Sequence, residues 1–243
     1  MIKVFRQIRQ QLFMEGKTGK YLKYAIGEII LVVIGILIAL QINNWNNGRV
    51  EKKSDYQSIR ALISDLKAKD EEIISDFEYG KSLISQTDII IDHWAKYKSI
   101  DTLNLKRSIF ILSGDGAFFI EKSPALESLT NSDLWERLPD SLLKQVDDVY
   151  RGNFTGLKAA YEKITEYSTQ FKFDFLIPNG LADSSLSTEE IHLLIKDNSI
   201  EYISYLEVYR DGILRLNSRF KQASEGIDLL IDDLNVYQHE LKE

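Results

Sequence analysis

Twelve consecutive residues, Ile29 to Leu40 (IILVVIGILIAL), carry no polar side chain. A helix built from them is apolar on every side, so either protein or lipid must shield all of it from water. Extended to Ala25 and Ile42 the run is 18 residues, broken only by Glu28 near one end and Gln41 near the other. That lies within the roughly 17–25 residues a helix needs to cross a bilayer. Tyr21, Tyr24 and Trp45 flank the run, and such amphipathic rings settle at the headgroup level. Lys20 and Lys23 reach water from the same boundary. A cleaved signal peptide is disfavoured, because Ile38, Leu40 and Ile42 are large where a cleavage site wants small residues. The basic and aromatic flanks disfavour a buried core helix, and the lack of a polar face disfavours an interfacial one. The expectation is a retained transmembrane helix over 24–44 with membrane lipid around it.

Orientation follows from the bases. Lys3, Arg6, Arg9, Lys17, Lys20 and Lys23 precede the span, and Arg49, Lys52, Lys53 and Arg60 follow it. The excess favours an N-terminus in the cytoplasm and the bulk of the chain outside. Val4, Phe5, Ile8 and Leu12 share one face of the opening segment. Residues 1–23 therefore read as a basic amphipathic piece on the inner membrane surface. Inside the span, Gly27, Gly35 and Ala39 are eight and four residues apart, and Glu28 is seven before Gly35. Two readings stay open. The glycines are ordinary membrane-helix glycines with Glu28 marking a boundary, or the face is a small-x-x-x-small seam for helix association.

The charge divides with the span. The net charge is −7, although the first 27 residues are basic, so the remainder is strongly acidic. An acidic body lacks the basic footprint that nucleic acid requires. The absence of cysteine excludes disulfides, thiolate metal sites and cysteine nucleophiles.

Beyond the span, apolar residues recur in steps of three and four. Tyr56, Ile59, Ile63, Leu66, Ile73, Phe77, Ile84, Ile91 and Trp94 form one seam, with Asp70, Gly80 and Thr87 interrupting it. It predicts a helix from about Val50 to Lys98, with Gly80 as a plausible break. Residues 99–141 are more broken. A short helix is expected over 103–112, a turn at Ser113-Gly114-Asp115-Gly116, and helix starts at Ser123-Pro124 and near Asn131 to Asp133. The apolar run Ala117–Ile120 is either core or a partner-docking loop built on Phe118, Phe119 and Ile120.

A long aromatic stripe follows: Val146, Tyr150, Phe154, Leu157, Tyr161, Ile164, Tyr167 and Phe171. It ends at the stop signal Pro178-Asn179-Gly180. The stripe reads as core, with a ligand pocket lined by its tyrosines as the alternative. Ser187-Thr188-Glu189-Glu190 is a capping box. The last seam runs from Ile203 to Leu241 through Leu206, Tyr209, Ile213, Leu216 and Phe220. The expected fold is all-α: one transmembrane helix, then an elongated antiparallel bundle with coiled-coil-like seams over 45–243, outside the cytoplasm.

The passage YAIGEIILVVIGILIALQINNWN, Tyr24 to Asn46, resembles the opening of a large uncharacterised family of single-pass membrane proteins from Bacteroidota. A second echo of that family lies in Ala125 to Leu129 and Leu134 to Tyr150, although Asn131-Ser132 stands where the family usually has Ser-Gly. The resemblance implies an inner membrane and a periplasmic helical domain, and carries no catalytic assignment.

No catalytic motif appears. His93, His192 and His239 lack ligand-spaced partners. Gly114-Asp115-Gly116 has no phosphate-loop lysine. Adjacent acids such as Glu71-Glu72, Asp147-Asp148 and Asp232-Asp233 diverge around a helix and read as solvated faces. No enzyme activity and no cofactor or metal is expected. The expected function is a membrane-anchored interaction or accessory protein that associates with itself or with another membrane protein. The alternative is a periplasmic small-ligand sensor that signals through a partner.

Overall fold

The computed structural model describes residues 18–101, 103–114 and 122–242, without the side chains of residues 18–21 and 24. The expected amphipathic helix at the N-terminus, the side chains of Lys20, Tyr21 and Tyr24, and the loop residues Phe118, Phe119 and Ile120 fall outside this description. Every regular element among the described residues is helical. The helices are α1 Thr18–Tyr97, α2 Leu105–Leu112, α3 Pro124–Thr130, α4 Asp133–Arg137, α5 Asp140–Asp147, α6 Thr155–Gln170, α7 Thr188–Lys196 and α8 Ser199–Glu240. π-helical segments at Asp148–Phe154 and Phe171–Leu176 join and extend α5 and α6. The chain divides into two compact units, the first ending at Tyr56 and the second beginning at Gln57.

In the first unit, every residue from Ile29 to Leu40 is exposed. None of the most apolar 18-residue window is buried among the described residues. Lys23 is exposed, and Trp45 is 67% exposed with the Arg49 guanidinium 5.5 Å from its ring centre. A single long apolar N-terminal helix of this kind is compatible with a membrane anchor.

The second unit is a bundle in which successive limbs run in opposite directions. The first limb is the part of α1 from Gln57 onward. The second descends beside it: Arg107 donates to Gln86, while Ser123 Oγ donates to Asp65 at 2.7 Å. The third, α5 to α6 with its π segments, climbs again, since Tyr150 meets Asp65 at 3.2 Å and Tyr161 donates to Asp76. The fourth, α8, descends from the Arg210–Asp88 pair at 3.3 Å to the Gln145–Asp233 bond at 2.6 Å. The second limb is the irregular one, made of the short helices α2 to α4.

The expected seam of α1 is inside: Ile59, Ile63, Leu66, Ile73 and Ile91 are buried, as are the flanking Leu62, Leu83 and Ile90. The buried face is therefore wider than a two-helix seam, as a helix with neighbours on two sides requires. Thr87, 1% exposed, satisfies its hydroxyl on the carbonyls of Leu83 and Ile84. Gly80 does not break the helix, contrary to expectation. It is buried at a close crossing, where an added Cβ would lie 2.1 Å from Asn217 Oδ1 of α8.

The aromatic stripe packs as core. The spacing of four, twice in succession, at Val146, Tyr150 and Phe154 outruns a 3.6-residue turn, and a π segment with i→i+5 bonds absorbs the excess. Phe171 and Phe175 repeat the spacing in the second π segment. The turn at Pro178-Asn179-Gly180 follows as expected. Gly180 has φ +72°, and Asn179 Nδ2 closes on the Phe175 carbonyl at 2.8 Å. Gly180→Ala is expected to cost about 1–2 kcal/mol from this left-handed conformation, read as a lowered urea midpoint. Both caps form. Ser123 Oγ accepts from the Leu126 N–H at 3.0 Å with Pro124 at the first helical position, and Ser187 and Glu190 make the reciprocal box.

Candidate functional site

A cavity of about 460 Å³ lies between α1, α2, α6 and α8. Ser113 and Gly114, which follow the end of α2, line its edge. Its floor is aliphatic, formed by Leu83, Ile164, Ile213 and Leu216. Five aromatic rings line it: Tyr79, Phe110, Tyr161, Tyr209 and Phe220. Tyr161 and Tyr209 are buried, whereas Tyr79 and Phe110 are 61% and 74% exposed at the mouth. Tyr161 and Phe220 pack edge to face, with centroids 5.6 Å apart.

Among the described residues, one charged group lines the cavity, the carboxylate of Asp76. The Tyr161 hydroxyl donates to Asp76 Oδ2, and no described residue donates to Oδ1. Burial, then the bond to Asp76, raises the Tyr161 phenol above its ordinary range. Burial beside Tyr79 pushes Tyr209 up to about 12. Both phenols therefore stay protonated near neutral pH. They serve as hydrogen-bond donors and uncharged ring faces, and neither acts as a base. Among the described residues, no base lines this cavity.

A second cavity of about 270 Å³ opens on the other side of Tyr209. It has the same chemistry: Tyr167, Tyr205 and the carboxylate-bearing Glu201 line it, and again no base does. Its wall includes Phe171, which belongs to the aromatic cluster with Phe175 and Tyr205.

A polar cluster ties the lower part of the bundle together. Asp65 Oδ2 accepts from Ser123 at 2.7 Å and from Tyr150 at 3.2 Å. Burial raises the Tyr150 phenol. The cluster holds the cap of α3 against α1, and it has no neighbouring imidazole to make Ser123 a nucleophile. The three histidines stay apart. The His93 ring is tilted against Tyr97 with centroids 4.7 Å apart, and His192 Nε2 meets the Leu103 carbonyl at 2.8 Å. Among the described residues, no group of three or more metal-ligating side chains converges.

Sequence reasoning raised the possibility of a pocket in the aromatic stripe, and Tyr161 does line one. It missed Asp76, which sits one residue before the seam position Phe77 and looks like any solvated helix acid. It also treated Tyr209 only as a seam residue. The span residues Gly27, Gly35 and Ala39 are exposed and Glu28 is half-buried. An added Cβ at either glycine would meet nothing within 4 Å.

These features define an all-α protein with one long apolar N-terminal helix and a helical bundle that holds an aromatic cavity. Residues 28–157 match DUF6090, a family of unknown function. The match covers more than half of the chain, and the protein belongs to that family. Asp76 and Phe110 lie inside the matched segment, and Tyr161 and Tyr209 lie beyond it. No curated protein and no solved structure matches the chain.

Proposed function

We propose that this is a membrane-anchored helical interaction protein, an accessory or self-associating subunit without catalytic chemistry of its own. The observation that carries the reading is the apolar surface of α1, exposed all round from Ile29 to Leu40. Lipid is the medium in which that surface is at no disadvantage. Lys20, Tyr21, Lys23, Tyr24 and Trp45 then sit at the two headgroup levels. The basic N-terminal side stays in the cytoplasm, and the acidic bundle lies across the membrane. In a bacterium with two membranes, as the resemblance to the Bacteroidota proteins suggests, that space is the periplasm. The bundle has no use for nucleic acid.

Gly27, Gly35 and Ala39, with Glu28 at the margin, form the face on which a second span packs. No described residue covers the two glycines. Gly35→Leu is expected to weaken association of the full-length protein in membranes by about tenfold, or 1.4 kcal/mol. Cross-linking or energy transfer between labelled spans measures it. Association that survives the substitution unchanged removes this face from the proposal. A gentle pull-down from native membranes with quantitative mass spectrometry tests the accessory role, and a stoichiometric partner supports it.

The aromatic cavity supports a second reading, in which the bundle senses a small ligand and passes the signal to a partner protein. Its volume lies in the roughly 300–1,000 Å³ range of small-molecule sites.

A further inference from the structure

We infer that the Asp76 cavity is a binding site for a small organic cation, an ammonium or quaternary ammonium group on a compact apolar body. The inference rests on the ligand-sensing reading and names the ligand class. Three observations carry it. The cavity is lined by five aromatic rings, whose faces attract a cation held within about 6 Å. The lone charged group among the described residues of its wall is a carboxylate, with one oxygen engaged by Tyr161 and the other free of donors among those residues. The smaller cavity across Tyr209 repeats the combination with Glu201, Tyr167 and Tyr205. A half-buried carboxylate beside rings and aliphatic side chains attracts an opposite charge more strongly than one in open water.

The surrounding charges agree with this sign. Glu72, one turn before Asp76, is close enough to raise the Tyr161 phenol further. Lys81 of the same helix turns to Glu78 at 2.7 Å and over the Phe77 ring at 4.6 Å. The Lys69 ammonium lies over Phe154, 5.7 Å from its centre. An anionic ligand would meet Asp76 and Glu72 without a compensating base in the wall. A neutral apolar ligand would offer Asp76 Oδ1 no donor. An ammonium group satisfies the carboxylate and places its alkyl or methyl surface against the rings.

The test uses the full-length protein in lipid nanodiscs, titrated with benzyltrimethylammonium and with its neutral carbon isostere, neopentylbenzene. Saturable calorimetric binding of the cation, with the isostere at least about tenfold weaker, is the expected result. Asp76→Asn keeps an acceptor for the Tyr161 hydroxyl, so its unfolding temperature should stay near that of the parent. Its affinity for the cation should fall about tenfold. Tyr209→Phe should retain binding and Tyr209→Leu should lose it, because the ring face is the contact. Equal affinity for cation and isostere, or full affinity in Asp76→Asn, overturns the cation assignment and leaves a ligand pocket. No saturable binding of either probe overturns the cation assignment and removes the support for ligand sensing as well.

Discussion

Phe171→Ala is expected to destabilise the bundle by about 3–5 kcal/mol, the range for truncating a fully buried phenylalanine. Phe171 is wholly buried in the second π segment and stacks on Phe175 with centroids 5.5 Å apart. Tyr205 meets its edge at 5.3 Å and Tyr202 lies at 6.4 Å. Truncation removes ring contacts to α8 as well as its own transfer free energy, and the neighbouring rings fill the gap only in part. Phe173, two residues on and 61% exposed, is the internal control. Its replacement by alanine should move stability by less than about 0.5 kcal/mol. Urea unfolding of the two variants measures the difference. Similar losses at both positions would place the π segment in a different register.

The second large effect is a coupling. Gly80→Ala is expected to cost about 1–3 kcal/mol through overpacking, because the new Cβ would lie 2.1 Å from Asn217 Oδ1 and 3.0 Å from its Cγ. Asn217 is only 7% exposed, and its Oδ1 finds no partner among the described residues. Asn217→Ala therefore removes an unsatisfied buried acceptor and is expected to be neutral or stabilising. In that background Gly80→Ala meets open space, so most of its cost should vanish. The double-mutant cycle should show a coupling of about 0.5–3 kcal/mol. Additive effects would mean that the clash is relieved by a shift of the helices and not by Asn217. In that case Gly80 is not needed for the crossing.

Much of the fold was legible in the sequence. The caps at Ser123 and Ser187, the stop at Gly180 and the apolar faces of α1 and α8 each depend on residues within a turn or two of one another. Periodicity and cap chemistry report such short-range relations directly. The spacing of four at Val146, Tyr150 and Phe154 was also visible, although it was read as ordinary helix. A π segment is the physical consequence of keeping three such residues inside. The reading of Gly80 failed because a mid-helix glycine has two opposite meanings. It weakens a helix left alone, and it lets another helix approach closely. Only the position of Asn217 on α8, across the bundle, separates the two.

The candidate site was far less legible. Asp76 and Tyr161 are 85 residues apart and belong to different limbs. Asp76 looks like every other acid on an acidic helix until a tyrosine hydroxyl and four further rings gather round it.

By itself, therefore, the sequence determined an apolar helix with nowhere to hide, an all-helical body, and the inward faces of its long helices. Those properties follow from local hydrogen-bond geometry and from which side chains avoid water. The tertiary structure alone decided that Gly80 is a crossing point, that the tyrosines surround a carboxylate and that no base joins them. Such properties depend on how separate helices pack in space, and residues distant in the chain carry no sequence record of becoming neighbours.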